Sequence, residues 1–118
     1  MATRTQDELV REVMGKLGAL AAGQTQNAED DALVKARLSD VYEQLEDDDL
    51  ITFDLADGIP GKSFLPVAYL VAVQLIDHFG AENKAQTIFS GAAWAEKTLR
   101  RQKQDGMYES SPAKPEYF

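Results

Sequence analysis

The stretch from 64 to 79, FLPVAYLVAVQLIDHF, most constrains what this chain can fold into. Twelve of its 16 residues are apolar, and its first charged side chain is Asp77. Burying that surface is the dominant gain available on folding. Wound as a helix, the stretch is apolar all round, which marks a central, buried element. Its valines permit a strand, but its length favours a helix. The uncharged run from 63 to 76 is 14 residues, too short to cross a bilayer. Ser63 is placed to cap this helix, Pro66 falls in the first turn where proline is tolerated, and Gly80 is placed to close it. Other helices must then surround it.

Three amphipathic segments answer that need. Thr5-Gln6-Asp7-Glu8 fits a capping box, and Leu9, Val10, Val13, Met14 and Leu17 follow on one face, ending at Gly18. This predicts a helix over 6–17. Asn27 is an N-cap candidate for a helix over 28–46, with Glu29, Asp30 and Asp31 suiting the positive end of its dipole and Val34, Leu38, Val41 and Leu45 as its seam. Ala85, Ile88, Ala92, Ala95 and Leu99 give a helix over 82–103, with Phe89 widening the stripe and Arg100, Arg101 and Lys103 suiting its negative end. The small residues Ser90, Gly91, Ala92, Ala93 and Ala95 allow a second helix to approach closely, from the same subunit or another. Between the second and third helices, 51–53 reads as extended and able to pair with a neighbour, and Asp57-Gly58 and Pro60-Gly61 read as turns. The expected fold class is therefore all-α: a four-helix bundle (about 6–17, 28–46, 64–79 and 82–103) forming a domain over 1–104. Residues 105–118, carrying Pro112 and Pro115 and no period, form an extended C-terminal tail.

Charge narrows the function. The chain carries a formal −8 from 12 basic and 20 acidic residues. Residues 1–62 hold six basic against 14 acidic residues and carry all of that excess. Nucleic-acid affinity rests on Lys and Arg neutralising phosphates, so the N-terminal half suits repelling DNA. With no cysteine and only His78, thiolate, disulfide and Cys- or His-cluster metal chemistry have no residues to work with. Acidic residues in the opening MATRTQDELV stand where a signal peptide needs apolar ones, so a cytoplasmic site of synthesis is expected.

No motif selects an enzyme. Residues 56–63, ADGIPGKS, match a relaxed phosphate-loop pattern, but Pro60 removes an N–H, and the surrounding sequence does not alternate strand with helix. Asp47, Asp48 and Asp49 do not fit a calcium loop, since the required Gly and Glu places hold Thr52 and Gly58. Acid at a helix C-terminus opposes the dipole, which favours some use for that charge. His78 beside Asp77 reads as a helix-end group. Tyr69, Phe79 and Phe89 read as core. Trp94 lies off the apolar seam and can face a neighbouring subunit. No cofactor is expected. Met107, Tyr108, Pro112, Pro115, Tyr117 and Phe118 make the tail unlike an ordinary polar terminus. Its prolines limit the conformations lost on docking, so it reads as a segment that grips a partner.

The opening TRTQDELVREVMGKLGA, the second helix with its LITFDL segment, the apolar third helix, AENKAQTIFSGAAWAEKTLRR and the Pro-containing tail together resemble the head-to-tail adaptor proteins of short-tailed bacteriophages. These are also called packaged-DNA stabilisation proteins or tail accessory factors. The resemblance covers roughly residues 3–118 and lies in helix order and apolar spacing. The connection after the second helix and the tail are short beside larger members. It implies a non-enzymatic virion protein, assembled in the host cytoplasm as a homo-oligomeric ring, typically of twelve copies, beneath the portal protein. Such a ring lengthens the DNA channel, retains packaged DNA and offers a platform to downstream tail proteins. On this view the tail docks on the portal, and DNA passes without specific binding. Asp47, Asp48, Asp49, Asp54 and Asp57 face the channel, where like charge keeps DNA from adhering. Arg100, Arg101 and Lys103 face an acidic partner surface. No membrane is involved. The alternatives are a small acidic regulatory helical protein that binds a basic partner, or a nucleotide-binding protein using 56–63.

Overall fold

A computed structural model describes residues 3–19 and 27–110, with side chains described as far as Gln104. The order is β1 (Thr3–Arg4), α1 (Gln6–Lys16), α2 (Ala28–Asp47), β2 (Ile59–Pro60), α3 (Gly61–Val73) and α4 (Ala85–Ser110), with 3₁₀ turns at Leu55–Asp57 and Glu82–Lys84. The bundle of four helices foreseen in the sequence is present, and α3 lies at its centre, packed chiefly on α4 and then on α1 and α2.

The capping box at α1 is complete. Glu8 N–H donates to the Thr5 hydroxyl at 3.1 Å, and Thr5 N–H to the Glu8 carboxylate at 3.1 Å. The helix closes as the glycine suggests, with Gly18 at φ 73 and Ala19 N–H donating to the Met14 carbonyl at 2.9 Å. Asn27 caps α2 by accepting from Glu29 and Asp30. Leu9, Val10, Val13, Val34, Leu38, Val67, Val71 and Leu99 are fully buried and knit the four helices into one core.

Four expectations need correction. First, α3 begins three residues before the expected start, and Ser63 is not its cap. Pro60 holds the N-cap position and gives no side-chain hydrogen bond, while Ser63 is buried inside the first turn. Pro66 therefore lies beyond that turn, where it takes away the N–H that would serve the Lys62 carbonyl. Gln102 Nε2 on α4 donates to that carbonyl instead, at 2.9 Å. Second, α3 ends at Val73. The chain tightens through i→i−3 bonds at Gln74 and Leu75, then closes a last turn with Ala81 N–H on the Ile76 carbonyl and Gly80 at φ 63.

Third, α4 starts after a 3₁₀ turn and runs to Ser110, past the expected end at 103. Nothing before the prolines breaks it, so the backbone of 105–110 is helical, and an extended tail cannot begin at 105. Fourth, residues 51–53 form no strand. The two-stranded sheet pairs β1 with β2 antiparallel, Arg4 opposite Ile59. Arg4 then stacks its guanidinium on the Phe64 ring at 4.0 Å, and that cation–π contact ties the N-terminal strand to α3.

Candidate interaction surface

Helical geometry decides which side chains α4 shows to solvent. Ile88, Ala95, Thr98 and Leu99 are buried against α3. On a helix of 3.6 residues per turn, Phe89, Ser90, Ala93 and Trp94 fall together on the opposite arc. Phe89 is 58% exposed and Trp94 45%. Phe89 is thus not core, contrary to the sequence reading, because it lies too far round from Ile88 to reach α3. Trp94 meets the Tyr69 ring edge-on at 5.9 Å, and Leu65, 44% exposed, stands one turn before Tyr69 on α3. Single exposed apolar residues are ordinary, but three large ones on two packed helices are candidate contact residues. Only Trp94 carried a signal in the sequence, its offset from the seam.

Part of the small-residue surface is already occupied. A β-carbon at Gly91 would fall inside the Tyr69 ring, so Gly91 serves packing within the subunit. Lys16 Nζ also lies over that ring, 4.0 Å from its centroid. Ser90 and Ala93 remain exposed.

The five acidic candidates are not gathered on one surface. Asp47 is exposed at the end of α2 and Asp48 accepts from Gln44 Nε2 at 3.2 Å. Asp49, at φ 61, lies 3.6 Å from Lys103 Nζ. Asp54 caps the 3₁₀ turn by accepting from Ala56 N–H at 3.0 Å, which is its local role. Asp57 borders a separate hollow beside Thr3–Asp7. Of the basic candidates, Arg100 pairs with Glu96 at 3.0 Å, Lys103 faces Asp49, and Arg101 has no ion-pair partner among the described residues. Met107 and Tyr108 belong to the backbone of α4. Pro112, Pro115, Tyr117 and Phe118 lie outside the described residues.

The loop between α2 and α3 is held by Tyr42, whose hydroxyl donates to the Phe53 carbonyl at 2.6 Å and whose ring tilts against Phe53. Burial, together with the nearby Glu46 carboxylate, raises the Tyr42 pKa. Beyond this loop, residues 49–53, the start of α3 and Gln102 and Lys103 of α4 enclose a groove of about 630 Å³. The phosphate-loop look-alike ends on its rim, but β2 is a two-residue antiparallel strand, not the buried parallel strand such a loop follows. His78 is exposed and packs on Phe79. Among the described residues no group of three metal-ligating side chains forms, and no helix is long and apolar enough to cross a membrane.

No family model, curated protein or solved structure matches this chain.

Proposed function

We propose that the chain is a structural subunit, the head-to-tail adaptor of a short-tailed bacteriophage, acting by contact and without catalysis. The observation that carries this reading is the exposure of three large apolar side chains, Phe89 and Trp94 on α4 and Leu65 on the neighbouring α3. Exposed apolar side chains of this kind on an acidic helical subunit suit assembly with neighbouring copies into a ring. The ring docks beneath the portal protein through the C-terminal segment, extends the DNA channel, retains packaged DNA and receives the next tail proteins. It requires no cofactor. The acidic end of α2, with Asp47, Asp48 and Asp49, sits at the channel or its mouth and keeps DNA from adhering to the wall.

Mixing the purified protein with portal rings, followed by electron microscopy and native mass spectrometry, tests this. Added ring density and a multiple of the subunit mass are expected. Portal rings that stay bare would overturn the reading. A Phe89→Ser, Trp94→Ser double variant should stay folded, with a modestly lower thermal midpoint from the lost Trp94–Tyr69 contact, yet lose ring formation. Replacing Asp47, Asp48 and Asp49 with Asn should slow DNA ejection; unchanged retention and ejection returns these residues to a solvated surface role. The exposed acidic residues of α2 favour one competing reading, a regulator that binds a basic protein. Salt-sensitive capture of a basic partner without portal binding would identify that role.

A further inference from the structure

The groove at the start of α3 has the makings of a binding site that the adaptor reading does not use. The first N–H groups of a helix lack intrahelical acceptors, and at α3 the N-cap is Pro60, which supplies none from its side chain. The aligned peptides add partial positive charge at the same point. Ser63 is 96% buried there and lines the groove, and its hydroxyl has no hydrogen-bond partner among the described residues. The residue is buried but its hydroxyl opens onto the groove, where a seated ligand can accept from it. Lys62 and Lys103 line the same groove. Lys103 leans toward Asp49, but at 3.6 Å and with the Asp49 side chain 81% exposed this pair is weak and easily exchanged.

We infer that this groove binds a carboxylate side chain of a partner polypeptide, seated at the α3 N-terminus, with a flanking apolar residue lying on Ile51 and Phe53. The hydroxyl of Ser63 and the first N–H groups of α3 donate to the carboxylate, and Lys62 and Lys103 balance its charge. Two features select a peptide acid over a phosphate group. The groove walls include Leu50, Ile51, Phe53 and Pro60, apolar surface that a free oxyanion leaves uncovered. Asp49 on the rim, in a chain of formal charge −8, opposes a dianion and any polyanion more than a single carboxylate. The site stands whether or not the chain is an adaptor.

Amide NMR titration of the full chain tests it, with acetyl-Glu-Phe-amide as probe and acetyl-Gln-Phe-amide and inorganic phosphate as comparison arms at constant ionic strength. Saturable shifts of the Gly61, Lys62 and Ser63 amides are expected with the Glu probe and not with the Gln probe. Lys62→Gln and Ser63→Ala should each weaken the Glu probe by about tenfold, the loss of one hydrogen bond or charge to a carboxylate. Asp49→Asn should tighten it by about threefold. Equal shifts from the Glu and Gln probes, tighter binding of phosphate, or unchanged affinity in both Lys62→Gln and Ser63→Ala would each overturn the inference. Because the probe comparison uses the unaltered protein, a variant that fails to fold does not blunt the test.

Discussion

Asp49 stands where a helix of this kind ordinarily ends on glycine. Leu50 N–H donates back to the Leu45 carbonyl at 2.9 Å, the closure that Gly18 and Gly80 serve elsewhere, but Asp49 adopts φ 61 with a β-carbon in place. A left-handed conformation costs an L-residue about 1–2 kcal/mol, somewhat less for Asp, and its charge opposes the helix dipole. Asp49→Gly should therefore raise stability by up to about 1 kcal/mol, since the Lys103 pair it loses is exposed and weak. A urea midpoint that falls would show that the pair matters more than the backbone. Gly91 argues the opposite way. Its hydrogen lies against the Tyr69 ring, so Gly91→Ala must move a ring that Lys16 and Trp94 also contact. The expected loss is about 1–3 kcal/mol, read as a lower thermal midpoint. The closures at Gly18 and Gly80 were legible in the sequence because glycine marks them. The closure at Asp49 was not, because nothing in the composition of an acidic run announces a positive φ.

At the scale of elements, the sequence located the four helices but misplaced several of their ends, and the reason is tertiary. Ser63 and Pro66 looked like a cap followed by a first-turn proline. The helix begins earlier because Gln102, 40 residues away, satisfies the Lys62 carbonyl that Pro66 leaves without a donor. No local pattern contains that partner. Gln102→Ala should cost about 0.5–1.5 kcal/mol. In a Pro66→Ala background, where a restored backbone N–H can serve the carbonyl, the same change should cost measurably less. Additive losses across this double-mutant cycle would sink the account.

The capping box at the start of α1 is the opposite case, legible because Thr5 and Glu8 are three residues apart. The Arg4 guanidinium, bonded to Glu8 at 2.7 Å, and the Thr5 N–H hold the Glu8 carboxyl below its ordinary value of 4.5. A depressed folded pKa stabilises above the unfolded value, and this contribution fades as pH falls through the folded one. Glu8→Gln should lower the urea midpoint near about pH 7, and the difference from the parent chain should shrink as pH falls through the lowered folded value. A difference that grows on acidification would contradict the capping role.

For the molecule as a whole, the central position of α3 followed from one apolar stretch that had nowhere else to go. The outward face of α4 did not follow, because a seam flanked by aromatics on both sides leaves it open which of them the neighbouring helix will cover. The structure assigns Tyr69 to the α3–α4 contact and leaves Phe89 and Trp94 in solvent.

It also moves the boundary that a truncation must respect. A chain ending at 104 would remove the last turns of α4, so any loss of binding would mix a shortened helix with a missing tail. Ending the chain at Ser110 avoids this, because Leu99, the last buried apolar residue of α4 among the described side chains, lies three turns upstream. The 110-residue chain should therefore keep the thermal midpoint of the full chain within about a degree or two, as expected when no core contact is removed. If Pro112, Pro115, Tyr117 and Phe118 grip the portal, the same chain should no longer sediment with portal rings. Retained co-sedimentation would place the grip elsewhere, with Phe89 and Trp94 on α4 the next surface to change. A large drop in midpoint would instead show that the last eight residues pack on the bundle, making them part of the fold.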